Sequence, residues 1–300
     1  MAPDGTLSIG ELAARTRTTV KTVRFYSDQG LLPEAARSAG GHRRYGPEAP
    51  ARLRMIRALR SLDVPVPEIG RLLDRGDTLE AVVARRLAGL GTELAAMRWR
   101  EAALRAVQDS TPEQLAERLE LIGAVSVPPD TSALAHYWRR LLPVRLSARL
   151  RGAVTEAAVP QPPADPTPDQ VLAFARLHAL ATAATDHCLV SHRPAGVAHP
   201  DLLYGGLHEA YRLVDAALRA GRGAPGPGEA LDCYVTAHAR AAGTHDSPAF
   251  RRDLAARLTV EDHPVMTRYW ELAGQSAPGL TLGGADSWLR GALATSTVEG

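Results

Sequence analysis

Lys21, Thr22 and Arg24 lie within the stretch Val20-Lys21-Thr22-Val23-Arg24-Phe25-Tyr26, where Val20 and Val23 fall on one side of a helix and the three polar residues on the other. An ammonium, a hydroxyl and a guanidinium on one helix face are the groups that read base edges and hold phosphates in a DNA major groove. A second basic set follows. Arg37, His42, Arg43, Arg44 and Tyr45 flank Gly40-Gly41, which reads as the turn of a β-hairpin. Cations on such a wing grip phosphate and add affinity rather than sequence information. Other chemistries find no support. Nucleophile-elbow, phosphate-loop and zincin patterns are absent, and no cofactor is expected. Cys188 and Cys233 are the only cysteines, so neither a disulfide scaffold nor a four-cysteine zinc site is expected. His187-Cys188 with His192, and Cys233 with His238, are the candidate soft-metal groups, but His187 and His192 are five residues apart, as are Cys233 and His238, which suits one helix face poorly; no metal is expected.

The elements that must position the first set are legible. Ser8 and Glu11 form a capping box ahead of a short helix with Ile9, Leu12 and Ala13 inward. Arg15 to Thr18 reads as a turn, in which Arg15 and Arg17 are further phosphate candidates. Thr18-Thr19 caps the next helix, so Thr19 sits at the same edge. Two short helices joined by a tight turn form a helix-turn-helix. Pro47 is expected to start a third helix, running to about Leu62 and burying Leu53, Ile56, Leu59 and Leu62. Pro67 is expected to start a fourth, with Ile69, Leu72 and Leu73 apolar.

The charge of the 300-residue chain, +2, averages unlike parts. Residues 1–76 hold 13 basic and 8 acidic side chains, net +5, and residues 77–300 net −3. Within 15–60 the balance is +8. A basic block at one end of a nearly neutral chain points to a nucleic-acid module joined to something else. No run of 18 apolar residues occurs and residues 1–10 have no signal-peptide pattern, so a cytoplasmic chain without membrane contact is expected.

The ordered strings Ile9-Gly10-Glu11-Leu12-Ala13, Val23-Arg24-Phe25-Tyr26, Gly30-Leu31-Leu32-Pro33, Gly41-His42-Arg43-Arg44-Tyr45 and Glu68-Ile69 resemble the DNA-binding domain of the MerR family of bacterial transcription regulators. The resemblance covers about residues 7–75. It implies that Arg24 and Tyr26 contact the DNA backbone, that Arg43 and Tyr45 are wing contacts, and that Lys21 and Thr22 read bases; Phe25 is open between DNA contact and core. His42 stands where the family is often aromatic, and Arg44 where it is often apolar. The resemblance also implies a homodimer on a pseudo-palindromic promoter site, with RNA polymerase as partner and activation by bending and untwisting the DNA.

From Thr78 to about Asp109, Leu79, Val83, Leu87, Leu90, Leu94, Met97 and Leu104 recur at steps of three and four, broken at Glu101. This reads as a coiled-coil seam; in the family the matching helix pairs antiparallel with its twin. The segment 78–127 has no Cys or His, unlike the family's thiolate metal sensors. The expected fold class is all-α with a small β wing. The domains expected are a winged helix-turn-helix over 1–76, a dimerisation helix and linker over 77–125, and a helical effector domain over 131–300.

That last part reads as helices near 132–157, 168–191, 200–220, 228–243, 247–259, 261–275 and 284–295. Its size and helical character resemble the effector halves of drug-sensing family members. Tyr137, Trp138, Phe174, His178, Tyr204, Tyr211, Tyr234, Tyr269 and Trp270 are candidates to line a pocket for an apolar or aromatic ligand such as a drug or secondary metabolite; each alone also suits a core. A protein-interaction platform or a fused modifying enzyme are the alternative readings of this part.

Overall fold

The computed structural model describes residues 5–184, 199–220, 228–260 and 264–298. It divides into two units, residues 1–92 and 93–300, with the division falling inside one long helix.

The first unit begins with β1 (Leu7–Ser8), α1 (Ile9–Arg15) and α2 (Val20–Asp28). Ser8 accepts from the Glu11 backbone N–H and Glu11 reaches back to Ser8, the capping box read from sequence. Thr19 caps α2 by accepting from the Thr22 N–H at 3.1 Å. Strands β2 (Ala36–Arg37) and β3 (Arg43–Tyr45) form the expected hairpin, closed where Ser38 N–H donates to His42 O at 2.8 Å and Gly41 adopts φ +76°. β1 is an unforeseen third strand. It pairs antiparallel with β3, Leu7 opposite Tyr45, so the wing is tied to the start of α1. Two residues are too few to show alternation, which is why the sequence pattern is silent there.

Helices α3 (Ala49–Ser61) and α4 (Val66–Leu73) complete the reader. α3 starts two residues after Pro47, with Pro50 in its first turn instead. Leu53, Ile56 and Leu59 are buried as expected, but Leu62 is 62% exposed because the helix has already ended. Val23 packs inward while Val20, at the first turn of α2, stays exposed. The core joins Leu12, Val23, Leu32, Tyr45, Leu53, Ile56 and Ile69.

Helix α5 (Leu79–Gln108) has two apolar sides. Val82 belongs to the first unit's core. Ala96, Trp99, Ala102, Ala103 and Ala106 are buried in the second unit, with Trp99 edge-on to Phe174 at 5.5 Å. The opposite side carries all seven seam residues, and every one is exposed.

The second unit continues with α6 (Pro112–Gly123), α7 (Ser132–Leu141), α8 (Ala148–Ala158), α9 (Pro168–Ala183), α10 (Pro200–Arg219), α11 (Glu229–Ala241), α12 (Pro248–Val260), α13 (Pro264–Ser276) and α14 (Leu282–Val298). The single helix expected over 132–157 is two helices. Pro143 has no N–H and forces Leu142 into an extended conformation, which ends α7. The outer part of the helix expected over 168–191, from residue 185 on, and the glycine-rich loop at 221–227 lie outside the described residues. One core joins α7, α8, α9 and α13 around Leu134, Phe174 and Tyr269; another joins α10, α11, α12 and α14 around Leu231, Leu254 and Leu289. Two glycines allow close contacts. A Cβ on Gly206 of α10 would sit 2.4 Å from the Ala237 Cβ of α11, and one on Gly283 would enter the Trp270 indole. Among the described residues, no helix is long and apolar enough to cross a membrane.

Candidate nucleic-acid interface

The outward face of α2 is Lys21, Arg24, Phe25 and Asp28, at helical steps of three and four. Lys21 and Arg24 have no ion-pair partner among the described residues, and the same holds for Arg15 and Arg17 in the preceding turn. Phe25 is exposed and meets the buried Tyr26 edge-on at 5.2 Å. Thr22 is partly buried, its hydroxyl 2.9 Å from that of Thr19. Lys21, Thr22 and Arg24 therefore stand on or beside one exposed strip, whereas Tyr26, expected to contact the DNA backbone, is buried behind it.

The turn that presents α2 is held from two sides. Thr16 donates its hydroxyl to Leu12 O at 2.7 Å. Arg17 takes φ +49°, uncommon for a non-glycine residue. Behind them the Arg57 guanidinium, from α3, donates to Thr16 O at 2.7 Å. Arg52 donates to Leu31 O at 2.6 Å and Arg60 to Val64 O at 2.8 Å. Three of the eleven Lys and Arg residues within 15–60 are thus tied to backbone carbonyls of the fold. Their position beside the buried Leu53–Ile56–Leu59 stripe was the signal for this; charge counting cannot see it. Arg54, on the other side of α3, is exposed and has no ion pair among the described residues.

The wing cations are occupied by carboxylates. Arg43 meets Asp28 at 2.5 Å and Glu34 at 2.8 Å. Glu34 also holds Arg37 at 2.9 Å, and Arg44 lies 3.8 Å from Glu11. The hydrogen bond to Asp28, reinforced by both negative charges, pushes the Arg43 pKa up. Hydrogen bonds from Ser8, with Arg44 adding a smaller contribution, pull the Glu11 carboxyl down. Sequence reading missed both Asp28 and Glu34 as members of this surface. His42 is exposed at the hairpin tip, whereas Tyr45 is fully buried and Tyr26 nearly so. Those two tyrosines hold the wing and α2 onto the core.

In the second unit the aromatic candidates divide. Tyr137, Trp138, Phe174, Tyr234 and Tyr269 are buried. Tyr137 stacks on Tyr269 at 5.6 Å, Trp138 meets Tyr269 and Trp270 at 5.4 and 5.2 Å, and Tyr269 donates to Ala158 O. His178, Tyr204, Tyr211 and Trp270 are partly buried. Tyr211 and Tyr234 both donate to Asp286, at 2.9 and 3.0 Å, in the other core. The candidates therefore belong to two cores rather than one cluster. Cys233 donates to Gly206 O, and among the described residues no group of His, Cys, Asp and Glu could hold a metal ion; His187, Cys188 and His192 lie outside them.

Residues 7–76 match the family described as MerR HTH family regulatory protein. The chain is 34% identical over 146 residues to nodulation protein NolA of Bradyrhizobium sp. (strain NC92), covering 44% of this chain and 62% of that protein. It is 41% identical over 68 residues to the HTH-type transcriptional regulator ZntR homolog of Haemophilus influenzae, 23% of this chain and 50% of that one. It is 42% identical over 67 residues to the HTH-type transcriptional activator TipA of Streptomyces coelicolor, 22% of this chain and 26% of that one. The chain spans less than two thirds of each of these relatives, and the two regulators match it over no more than the length of the family match. Over residues 7–76 the chain is thus similar to the helix-turn-helix domain of MerR-type regulators.

Proposed function

We propose that the chain is a homodimeric, DNA-binding transcription regulator whose second unit responds to a small ligand. The observation that carries the first part is the exposed Lys21–Arg24 strip on α2, the second helix of a helix-turn-helix beside a basic wing. Lys21 and Thr22 read bases in this proposal, and Arg24, Arg15 and Arg17 hold phosphates. The dimer is supported by the row of seven exposed Leu, Val and Met side chains along α5, which extends over about 37 Å at 1.5 Å per residue with a break at Glu101. Apolar rows of this length are rarely left in water. A Cβ on Gly89 or Gly91 would meet nothing within 4 Å, so a partner helix could approach closely there. A two-fold dimer presents two readers to a pseudo-palindromic promoter site.

The regulatory part rests on module order and on the relatives named as regulators and activator. Ligand binding in the second unit would shift the DNA between two shapes, and differential contacts in the two states would supply the deformation energy. RNA polymerase then engages the reshaped promoter. The partly buried Trp270, Tyr204, Tyr211 and His178 are the candidates best placed to meet an apolar or aromatic ligand, since the others already fill cores. The test is fluorescence anisotropy and run-off transcription on the DNA upstream of the chain's own gene, with and without a compound library. Salt-dependent binding and a compound-dependent transcript are expected; binding that ignores Lys21→Ala and Arg24→Ala would overturn the interface.

A further inference from the structure

The outward strip of α2 ends badly for a DNA reader. Lys21, Arg24 and Asp28 lie along one face, so the last group aimed toward the groove is a carboxylate. Glu34 stands beside it at the entry to the wing. Left alone, both would repel phosphates. Each is instead bonded to one guanidinium, Arg43, through different nitrogens: Nη1 to Asp28 and Nε to Glu34. The Arg43 side chain is 29% exposed, so a phosphate can reach it. Carboxylate and phosphodiester oxygens make the same charge-assisted bond to a guanidinium fork.

We propose that Asp28 and Glu34 act as internal phosphate mimics, occupying Arg43 in the free protein and suppressing its attraction to non-specific DNA. This rests on the DNA-binding reading above. When a phosphate takes Arg43, Asp28 is released and Glu34 is left with Arg37 alone, so cations gather on the carboxylates again and fewer counterions are set free in total. A duplex that does not seat α2 leaves Arg43 where it is and meets two acids. The pair thereby favours sites that seat the whole reader over DNA in general.

The experiment measures binding of the full chain to a random-sequence duplex from low to moderate salt. Wild type, Asp28→Asn with Glu34→Gln, Arg43→Ala, and the triple variant are compared, with circular dichroism confirming the fold. The double neutralisation is expected to bind several-fold tighter at low salt and to steepen the log–log salt slope by about one unit, the worth of one more phosphate contact. In the Arg43→Ala background that extra slope is expected to vanish. Equal gains in both backgrounds would overturn the proposal, because the carboxylates would then act through space or through Arg37, which Glu34 also holds, and not by occupying Arg43. Weaker binding by the double variant would overturn it too, since the pair would be a staple that orients the wing. Salt-dependent binding by none of the four proteins would sink the DNA-binding reading itself.

Discussion

The Arg57 guanidinium donates to the backbone carbonyl of Thr16 across 41 residues of sequence, at 2.7 Å. It closes the last turn of α1 from the side of α3 and fixes the turn from which α2 departs. A basic residue in a basic domain is here a structural donor to a helix end.

Arg57→Ala should therefore cost stability more than charge. A partly buried bond from a charged donor contributes about 2 kcal/mol, and urea denaturation of the full chain would show that loss. Arg57→Lys should recover only part of it, because the ammonium lacks the planar fork. Unchanged stability in Arg57→Ala would refute the clamp.

The reader residues should separate into two classes. Arg24→Ala is expected to weaken binding about equally on all duplexes and to flatten the salt slope by about 0.9. Lys21→Ala is expected to relax base preference at one position, by about 1–3 kcal/mol. Titrations against a panel of single-base variants of a bound site would check both. A sequence-selective loss from Arg24→Ala would reverse the assignment.

The α5 row makes a statement about assembly. Leu87 and Leu94 are exposed in the single chain, so Leu87→Glu with Leu94→Glu should leave the protomer folded. Their removal from a dimer seam, with charges buried in their place, should weaken association by at least about 3 kcal/mol. Sedimentation should then show the mass of one chain. A wild type that already sediments as a monomer would remove the dimer from the proposal.

His238 ties the second unit's stability to pH. Burial lowers its pKa from 6.5 to about 4, with Arg257 and Arg290 assisting and Asp286 opposing. Below about pH 6.5 the unfolded chain takes up a proton that the folded chain refuses until about pH 4. Stability is thus lost as pH falls through this window, by roughly 3 kcal/mol in all. His238→Gln should flatten the wild-type slope of stability against pH between 6.5 and 4. Parallel slopes for the two proteins would contradict the assignment.

Local signals carried the first unit. Caps at Ser8 and Thr19, the Gly40-Gly41 turn and the inward Leu53, Ile56 and Leu59 act within a few residues, so sequence spacing reports them. What escaped was non-local or too short. β1 is two residues long, Leu62 falls just past a helix end, and the pairing of Asp28 and Glu34 with Arg43 depends on two elements meeting. In the second unit, helix periods were visible, while the break at Pro143 shows one backbone rule outweighing an apolar pattern. The division of the eight aromatic candidates between two cores could not be read from spacing, because a helix that lines a pocket and one that fills a core repeat alike.

Lys21 is the single lysine in a chain with 34 arginines, and it lies exposed on the outward strip of α2. Chain terminus aside, amine-directed reagents therefore address one side chain in the whole molecule. A fluorophore or isotopic tag placed there would act as a native reporter at the centre of the proposed groove contact. Protection of that one amine by duplex would measure occupancy without any engineered label.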